Sequence, residues 1–253
     1  MALSKVLLLI SAATGIQYSV TPPTARPSTE ERLKPGGWEV AAPYLHVVVK
    51  GIYWALTLCE IAVACATSYL SSAISQTILN GLIHGSNSLQ ALQRMHQMPQ
   101  FLIGTCCILT GSFIRTRCYR TLGRMFTFEL SIRKAHKLVT SGPYSIVRHP
   151  SYTGAILVGA GIAFCHLNRG SWLVICSGLF PEDPRTLKHV LYVLWGAFMT
   201  PACIAMNGRM KKEDAMLEKA FGQEWRDWAK RVPYWMIPYI IDLIIDSIVA
   251  VRI

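Results

Sequence analysis

In the run GPYSIVRHPSY, residues 142–152, an arginine, a histidine and two tyrosines stand between a Gly-Pro turn and the start of an apolar stretch. Glu129 and His136 precede Tyr144, Arg148, His149 and Tyr152, and Arg209 and Glu213 follow far downstream. Polar groups kept at the ends of apolar helices are functional candidates. Each also has a plain role: Tyr144 and Tyr152 as interfacial tyrosines, Arg148 as a charge anchor, His149 before Pro150 as a helix cap. Arg209 and Glu213 are four residues apart and share one face of a helix. On an exposed face such a pair contributes about 0.2–0.5 kcal/mol. On a sheltered one the arginine could offer a planar fork to a carboxylate, and the glutamate could receive the cation of a zwitterionic cofactor. The sequence has no Ser/His/Asp nucleophile elbow, no GxGxxG fingerprint and no P-loop. The chemistry it offers is recognition and positioning.

These residues must be placed by apolar segments. Residues 3–20 form the first, with Lys5 at its start. A secretory signal peptide is the competing interpretation, and the lack of a small-x-small cleavage site favours a retained helix. Residues 21–43 hold five prolines and two glycines, a composition that suits an exposed connector. Residues 44–70 are long enough to span hydrocarbon. Residues 71–97 read as a polar loop with an interfacial helix, and residues 101–114 as a short third crossing. A basic block over 115–148, two apolar runs over 153–167 and 187–206, and a second basic block over 207–232 complete the pattern. The positive-inside bias puts both blocks on one side, so two crossings separate them. The run 172–180 then extends the hairpin or lies at the far surface. In the second block Leu217, Phe221, Trp225, Trp228 and Val232 recur at steps of four, four, three and four, one apolar stripe on a helix that Gly222 bends. The tail, 234–253, carries Asp242 and Asp246 and reads as membrane-associated without a full crossing.

Composition agrees with this reading. The 253 residues are 52% hydrophobic and 15% charged, with a mean hydropathy of +0.34, too apolar for an ordinary soluble domain. The net charge of +11 falls in blocks beside apolar segments, which argues for cytoplasmic loops and against nucleic acid. Seven of the eight cysteines lie inside apolar stretches, with no CxxC or Cys/His cluster. They read as small buried hydrophobes, with neither a metal site nor a disulfide framework. The expected fold is all-α: a polytopic transmembrane helical bundle, with a cofactor site at its cytosolic face built from loops and a C-terminal amphipathic helix. One domain would cover 1–253, with transmembrane helices over 1–115, a catalytic half over about 116–238 and the tail over 234–253.

Two stretches, HKLVTSGPYSIVRHPSYTG (136–154) and RMKKEDAMLEKAFGQEWRDWAKRVPYWMIP (209–238), together resemble the isoprenylcysteine carboxyl methyltransferase family of the endoplasmic reticulum. The resemblance covers roughly 126–238 and rests on two motifs, in order, flanking a helical hairpin. It implies that His136, Lys137, Leu138 and Val139 line a site for S-adenosylmethionine, partly through their backbone. It implies further cofactor contacts at Tyr144, His149, Pro150, Ser151, Tyr152 and Glu213, with Arg209 on the substrate's carboxylate end as the catalytic and substrate-binding residue. It implies a cofactor contact at Glu129 as well, a position where animal relatives have a glutamine. The implied reaction moves a methyl group from S-adenosylmethionine, leaving S-adenosylhomocysteine, to the terminal carboxylate of a farnesylated or geranylgeranylated cysteine of CaaX-processed proteins. The implied setting is a multi-pass protein of the endoplasmic reticulum membrane whose active site faces the cytosol; its partners are the bilayer and a prenylated C-terminal cysteine, and nothing specifies an oligomeric state. A phospholipid amine methyltransferase with the same cofactor, a membrane reductase using a nicotinamide cofactor, and a non-catalytic membrane scaffold are the competing readings.

Overall fold

The computed structural model describes residues 2–32, 42–84, 99–134 and 136–237. Among them the regular structure is helical, apart from one isolated antiparallel bridge between Arg32 and Ser131. The helices are α1 (Ala2–Ser19), α2 (Ala42–Ala66), α3 (Ala73–Leu82), α4 (Pro99–Leu122), α5 (Pro150–His166), α6 (Trp172–Ile175), α7 (Pro184–Phe221) and α8 (Gln223–Arg231). Two of them, α2 over Tyr44–Ala66 and α7, are long and apolar enough to cross a membrane.

The centre is the antiparallel pair α4 and α5, with α1 laid against α4 and α2 against α1. Leu9, Ala12, Ala13 and Ile16 of α1 bury against Phe101 and Ile108 of α4, Val158 and Cys165 of α5, and Tyr53 of α2. Small residues allow α4 and α5 to approach closely. A Cβ on Gly111 would lie 2.5 Å from the Gly154 carbonyl oxygen, and one on Gly154 would lie 2.7 Å from that of Gly111. One heptad away the same exchange recurs: a Cβ on Gly161 would sit 2.6 Å from the Gly104 carbonyl oxygen. Two glycine crossings thus fix the register of the hairpin that carries the first motif, the close packing by which helices associate in lipid. Gly111→Ala should therefore cost about 1–3 kcal/mol through overpacking against backbone. Gly51→Ala, where an added Cβ meets nothing within 4 Å, should be neutral or slightly stabilising. Thermal unfolding in detergent checks both, and equal midpoints for the two variants would contradict the crossing.

Far along the bundle from residues 149–152, charged groups are buried. Lys5 Nζ lies 2.6 Å from Glu60 Oε1, and His166 Nδ1 lies 3.6 Å from Glu60 Oε2. Lys5 also donates to the Gly170 carbonyl at 3.0 Å, and the rings of Tyr53 and His166 meet edge to face at 5.0 Å. Glu60 is fully buried. The cluster ties α1, α2 and the end of α5 together.

Several boundaries differ from the sequence expectation. The helix expected to end near residue 114 runs on to Leu122, so Arg115, Arg117 and Arg120 are helical and a division at residue 115 falls inside α4. Residues 187–206 and the start of the second basic block form one continuous helix, α7, of 38 residues, about 57 Å at 1.5 Å per residue. The apolar stripe is not on one helix: α7 stops at Gly222, whose φ of 56° and ψ of −118° lie where only glycine is comfortable, and α8 starts anew. The stripe's side chains still converge, because Leu217, Phe221, Trp225, Trp228 and Val232 pack with Cys118 and Tyr144. Within the loop expected over 71–97 one helix does form, α3, and α6, of four residues, is too short to cross and closes the far end of the hairpin. Residues 33–41, 85–98 and 238–253 lie outside the described residues, and with them most of the tail. The connector's described part, up to Arg32, is stitched to the loop after α4. Thr24 Oγ1 donates to the Phe126 carbonyl at 2.6 Å, and Arg133 donates to the Ala25 carbonyl at 2.5 Å.

Candidate functional site

Between α2, α4, α5, α7 and the two loops that follow α4 lies a cavity of about 400 Å³, within the size range of small-molecule sites. One end is polar: His136, Tyr144, Arg148, His149, Tyr152, Arg209 and Glu213 line it, with Leu138 and Val139. The other is apolar, walled by Leu45 and Val49 of α2, Val158 and Ile162 of α5, and Phe198, Met199, Ala202 and Met206 of α7. Val158 and Ile162 stand about 9 and 15 Å beyond Tyr152 along α5, at 1.5 Å per residue.

Local sequence explains how the first motif holds its residues. Gly142, at a φ of 61°, opens a 3-10 turn over Gly142–Ser145 that buries Tyr144, and burial raises the Tyr144 phenol well above its ordinary pKa. Trp228 of α8 donates from Nε1 to the Tyr144 carbonyl at 3.1 Å. Pro150 starts α5 at the position where a missing N–H costs nothing. His149 takes the cap position, but its side chain does not cap the helix. Instead its Nε2 lies 3.0 Å from Asp214 Oδ1, and its backbone N–H donates to the Trp235 carbonyl at 2.7 Å. Arg148 pairs with Asp214 Oδ2 at 2.9 Å, its guanidinium over the rings of Trp225 and Trp235 at 5.8 and 5.6 Å. Burial lowers the Arg148 pKa from its ordinary value, and Asp214 opposes that shift.

Arg209 and Glu213 of the second motif meet the first at one oxygen. Tyr152 Oη donates to Glu213 Oε2 at 2.8 Å and accepts from Arg209 Nε at 2.8 Å. Arg209 also donates to the Phe128 carbonyl. Residues separated by 57 and 61 positions thus share a fixed arrangement on the cavity wall. Ser151 is buried at the start of α5, where its carbonyl and hydroxyl accept from Arg115 at 3.1 and 3.3 Å; Arg115 also donates to the Ser19 carbonyl at 2.6 Å.

The remaining candidates separate. His136 lines the cavity, and its Nδ1 accepts from the Arg133 backbone N–H at 3.4 Å. Burial holds its pKa below the ordinary value, with Glu213 opposing and Arg133 adding to the shift. Glu129 lines the cavity too, but its carboxylate is engaged by Arg26 at 2.6 Å and faces Arg32 at 3.6 Å. The Lys137 side chain is exposed, and neither it nor Pro150 lines the cavity. Sequence reasoning passed over Asp214, Arg115 and the Phe128 carbonyl. A signal for Asp214 existed: the stripe of Leu217 and Phe221, extended back by steps of three and four, reaches Asp214 and Met210, both buried.

"Protein-S-isoprenylcysteine O-methyltransferase B" of Arabidopsis thaliana is 30% identical over 132 residues, 51% of this chain and 55% of that protein. "Protein-S-isoprenylcysteine O-methyltransferase" of Schizosaccharomyces pombe is 27% identical over 170 residues, 62% of this chain and 61% of that protein. A Delta(14)-sterol reductase of Mus musculus is 28% identical over 104 residues, 41% of this chain and 20% of that protein. The match thus spans little more than half the length of the first of these relatives. Residues 102–180, from α4 through α5 and past α6, match the model of the isoprenylcysteine carboxyl methyltransferase (ICMT) family, and this is the family that the chain's two motifs resemble.

Proposed function

We propose that this chain methylates the C-terminal carboxylate of a prenylated cysteine, using S-adenosylmethionine, at the cytosolic face of the endoplasmic reticulum membrane. One observation carries the reading. Arg209 and Glu213 of the second motif meet Tyr152 of the first at the polar end of a cavity whose other end is apolar. An acceptor with a carboxylate on a long hydrocarbon chain, and a donor with a cationic, zwitterionic body, match those two ends. The residues present fit the donor: the Glu213 carboxylate for cationic charge, Tyr144 and the His149 to Tyr152 element around it, and the apolar side chains of Leu138 and Val139 beside them. Bound there, S-adenosylmethionine supplies a methyl group on a sulfonium.

The chain's own part follows from charge. The acceptor carboxylate is already ionised, with a reference pKa of about 3.3–3.7, so no general base is needed. Arg209 orients the carboxylate while Tyr152 fixes Arg209. Holding two reactants in line contributes up to about 7–11 kcal/mol in favourable intramolecular cases. The apolar end excludes water where opposite charges meet and disappear. His136, Leu138, Val139, Tyr144, His149, Ser151, Tyr152 and Glu213 form the donor's surroundings. Lys137 and Pro150 act through backbone, and Glu129 braces the loop through Arg26. The chain is one polytopic domain over 1–253, with α7 and the shorter α5, of 17 residues, as the crossings between its two basic blocks.

The test is acceptor competition with methyl-labelled donor, using protein in membranes. Base-labile label in a farnesylated or geranylgeranylated cysteine analogue supports the reading. Label in an aminophospholipid replaces it with the phospholipid reading, and no transfer to either acceptor overturns both.

A further inference from the structure

We propose that Asp214 is a positioning residue: it turns the His149 ring so that Nδ1, beside Glu213, faces the cavity as one half of a paired acceptor for an ammonium group. The identity of that ammonium, the amino-acid end of the methyl donor, rests on the function proposed above; the positioning does not.

A carboxylate only accepts, so the 3.0 Å contact between Asp214 Oδ1 and His149 Nε2 places a proton on Nε2. The other ring nitrogen, Nδ1, then lies 4.0 Å from Glu213 Oε2. Two acceptors at that separation can both lie at hydrogen-bond distance, about 2.9 Å, from a single nitrogen. An ammonium, with three donors, satisfies both; a carboxylate or phosphate satisfies neither. Tyr152 Oη, bonded to the same Glu213 oxygen at 2.8 Å, keeps the carboxylate from turning away.

Asp214 is buried and does not line the cavity, whereas His149 and Glu213 do. Its effect must pass through its neighbours. A purely structural acid would be satisfied by Arg148, which pairs with Oδ2 and donates to the Pro233 carbonyl at 3.2 Å. The second oxygen, spent on the imidazole, is what distinguishes positioning from bracing. The backbone N–H groups of Arg148 and His149 donate to the carbonyls of Tyr234 and Trp235 at 2.9 and 2.7 Å, so the ring is set on a fixed base. Glu213 and Asp214, adjacent in sequence, therefore divide the work: the first faces the ligand and the second sets the ring beside it.

Two measurements test this. Nitrogen-15 histidine spectra of the detergent-solubilised wild type, with His149 assigned by its loss in His149→Gln, should show a proton on Nε2 and none on Nδ1; a proton on Nδ1, with or without one on Nε2, overturns the proposal. S-adenosylhomocysteine titrations should show Asp214→Asn weakening affinity by about 10- to 100-fold, as expected for loss of a hydrogen bond to a charged group. Asp214→Glu should recover most of that loss, and unchanged affinity in folded Asp214→Asn overturns the proposal. If the wild type fails to bind S-adenosylhomocysteine, the functional reading falls and the ring-proton measurement alone decides whether Asp214 positions His149.

Discussion

Arg209→Ala should reduce methyl transfer to a prenylcysteine acceptor by about a thousandfold, some 4 kcal/mol of transition-state stabilisation. The substitution removes the fork that would orient the acceptor's carboxylate, and it also frees the Tyr152 hydroxyl and the Phe128 carbonyl that Arg209 now engages. Because Glu213 keeps its bond to Tyr152, S-adenosylhomocysteine affinity should fall by less than about tenfold, well short of the hydrogen-bond loss expected of a direct ligand. Arg209→Lys should remain severely impaired, since an ammonium offers charge without the planar fork. Steady-state kinetics in the acceptor, set beside a binding titration, separates these effects. Retention of a tenth or more of wild-type turnover by the alanine variant would remove Arg209 from the acceptor's side of the site.

Glu60→Ala should destabilise the protein by about 3–5 kcal/mol, the usual consequence of stranding one member of a buried ion pair. Lys5 would keep its charge with only the Gly170 carbonyl and the face of Phe101, 5.5 Å away. Thermal unfolding in detergent should show a fall of ~10 °C. Replacing both partners, as Lys5→Met with Glu60→Leu, should restore most of the loss, because an apolar pair carries no desolvation debt. A single variant as stable as wild type would show that the contact contributes nothing. Activity adds a control: the cluster lies at the opposite end of α5 from His149, so folded protein should still bind S-adenosylhomocysteine.

Apolar runs were enough to locate α1, α2, α4, α5 and α7, because lipid permits few alternatives to a helix. The candidate site was legible where residue type alone is telling: an arginine and a glutamate one turn apart, and a histidine and a tyrosine at the start of an apolar run. Their meeting at the Tyr152 oxygen was not legible, since it depends on where α7 packs back along α5, with Gly159 facing Phe198 and Met199. Helix ends were misjudged for a related reason. Counted by charge alone, Arg115 ends a crossing, yet its guanidinium is satisfied by the carbonyls of Ser19 and Ser151, and α4 continues. The break at Gly222 shows in backbone angles that no periodicity records. Glu60 could have been noticed, as a carboxylate inside an apolar segment needs a partner; which partner it finds is a matter of packing.

The continuity of α7 has a bearing on the lipid itself. A single rod of 38 residues joins the segment that would sit among acyl tails to the turn that bears Arg209, and Met206 stands only three positions before that arginine, about 4.5 Å along the axis. The altitude of the guanidinium above the tails is therefore set by the rod, whereas the height of the headgroup shelf is set by the bilayer. Where acyl chains are longer the reacting end would sink toward hydrocarbon, and where they are shorter it would stand proud in water. Membrane thickness is then a property that the geometry of this helix makes relevant to chemistry.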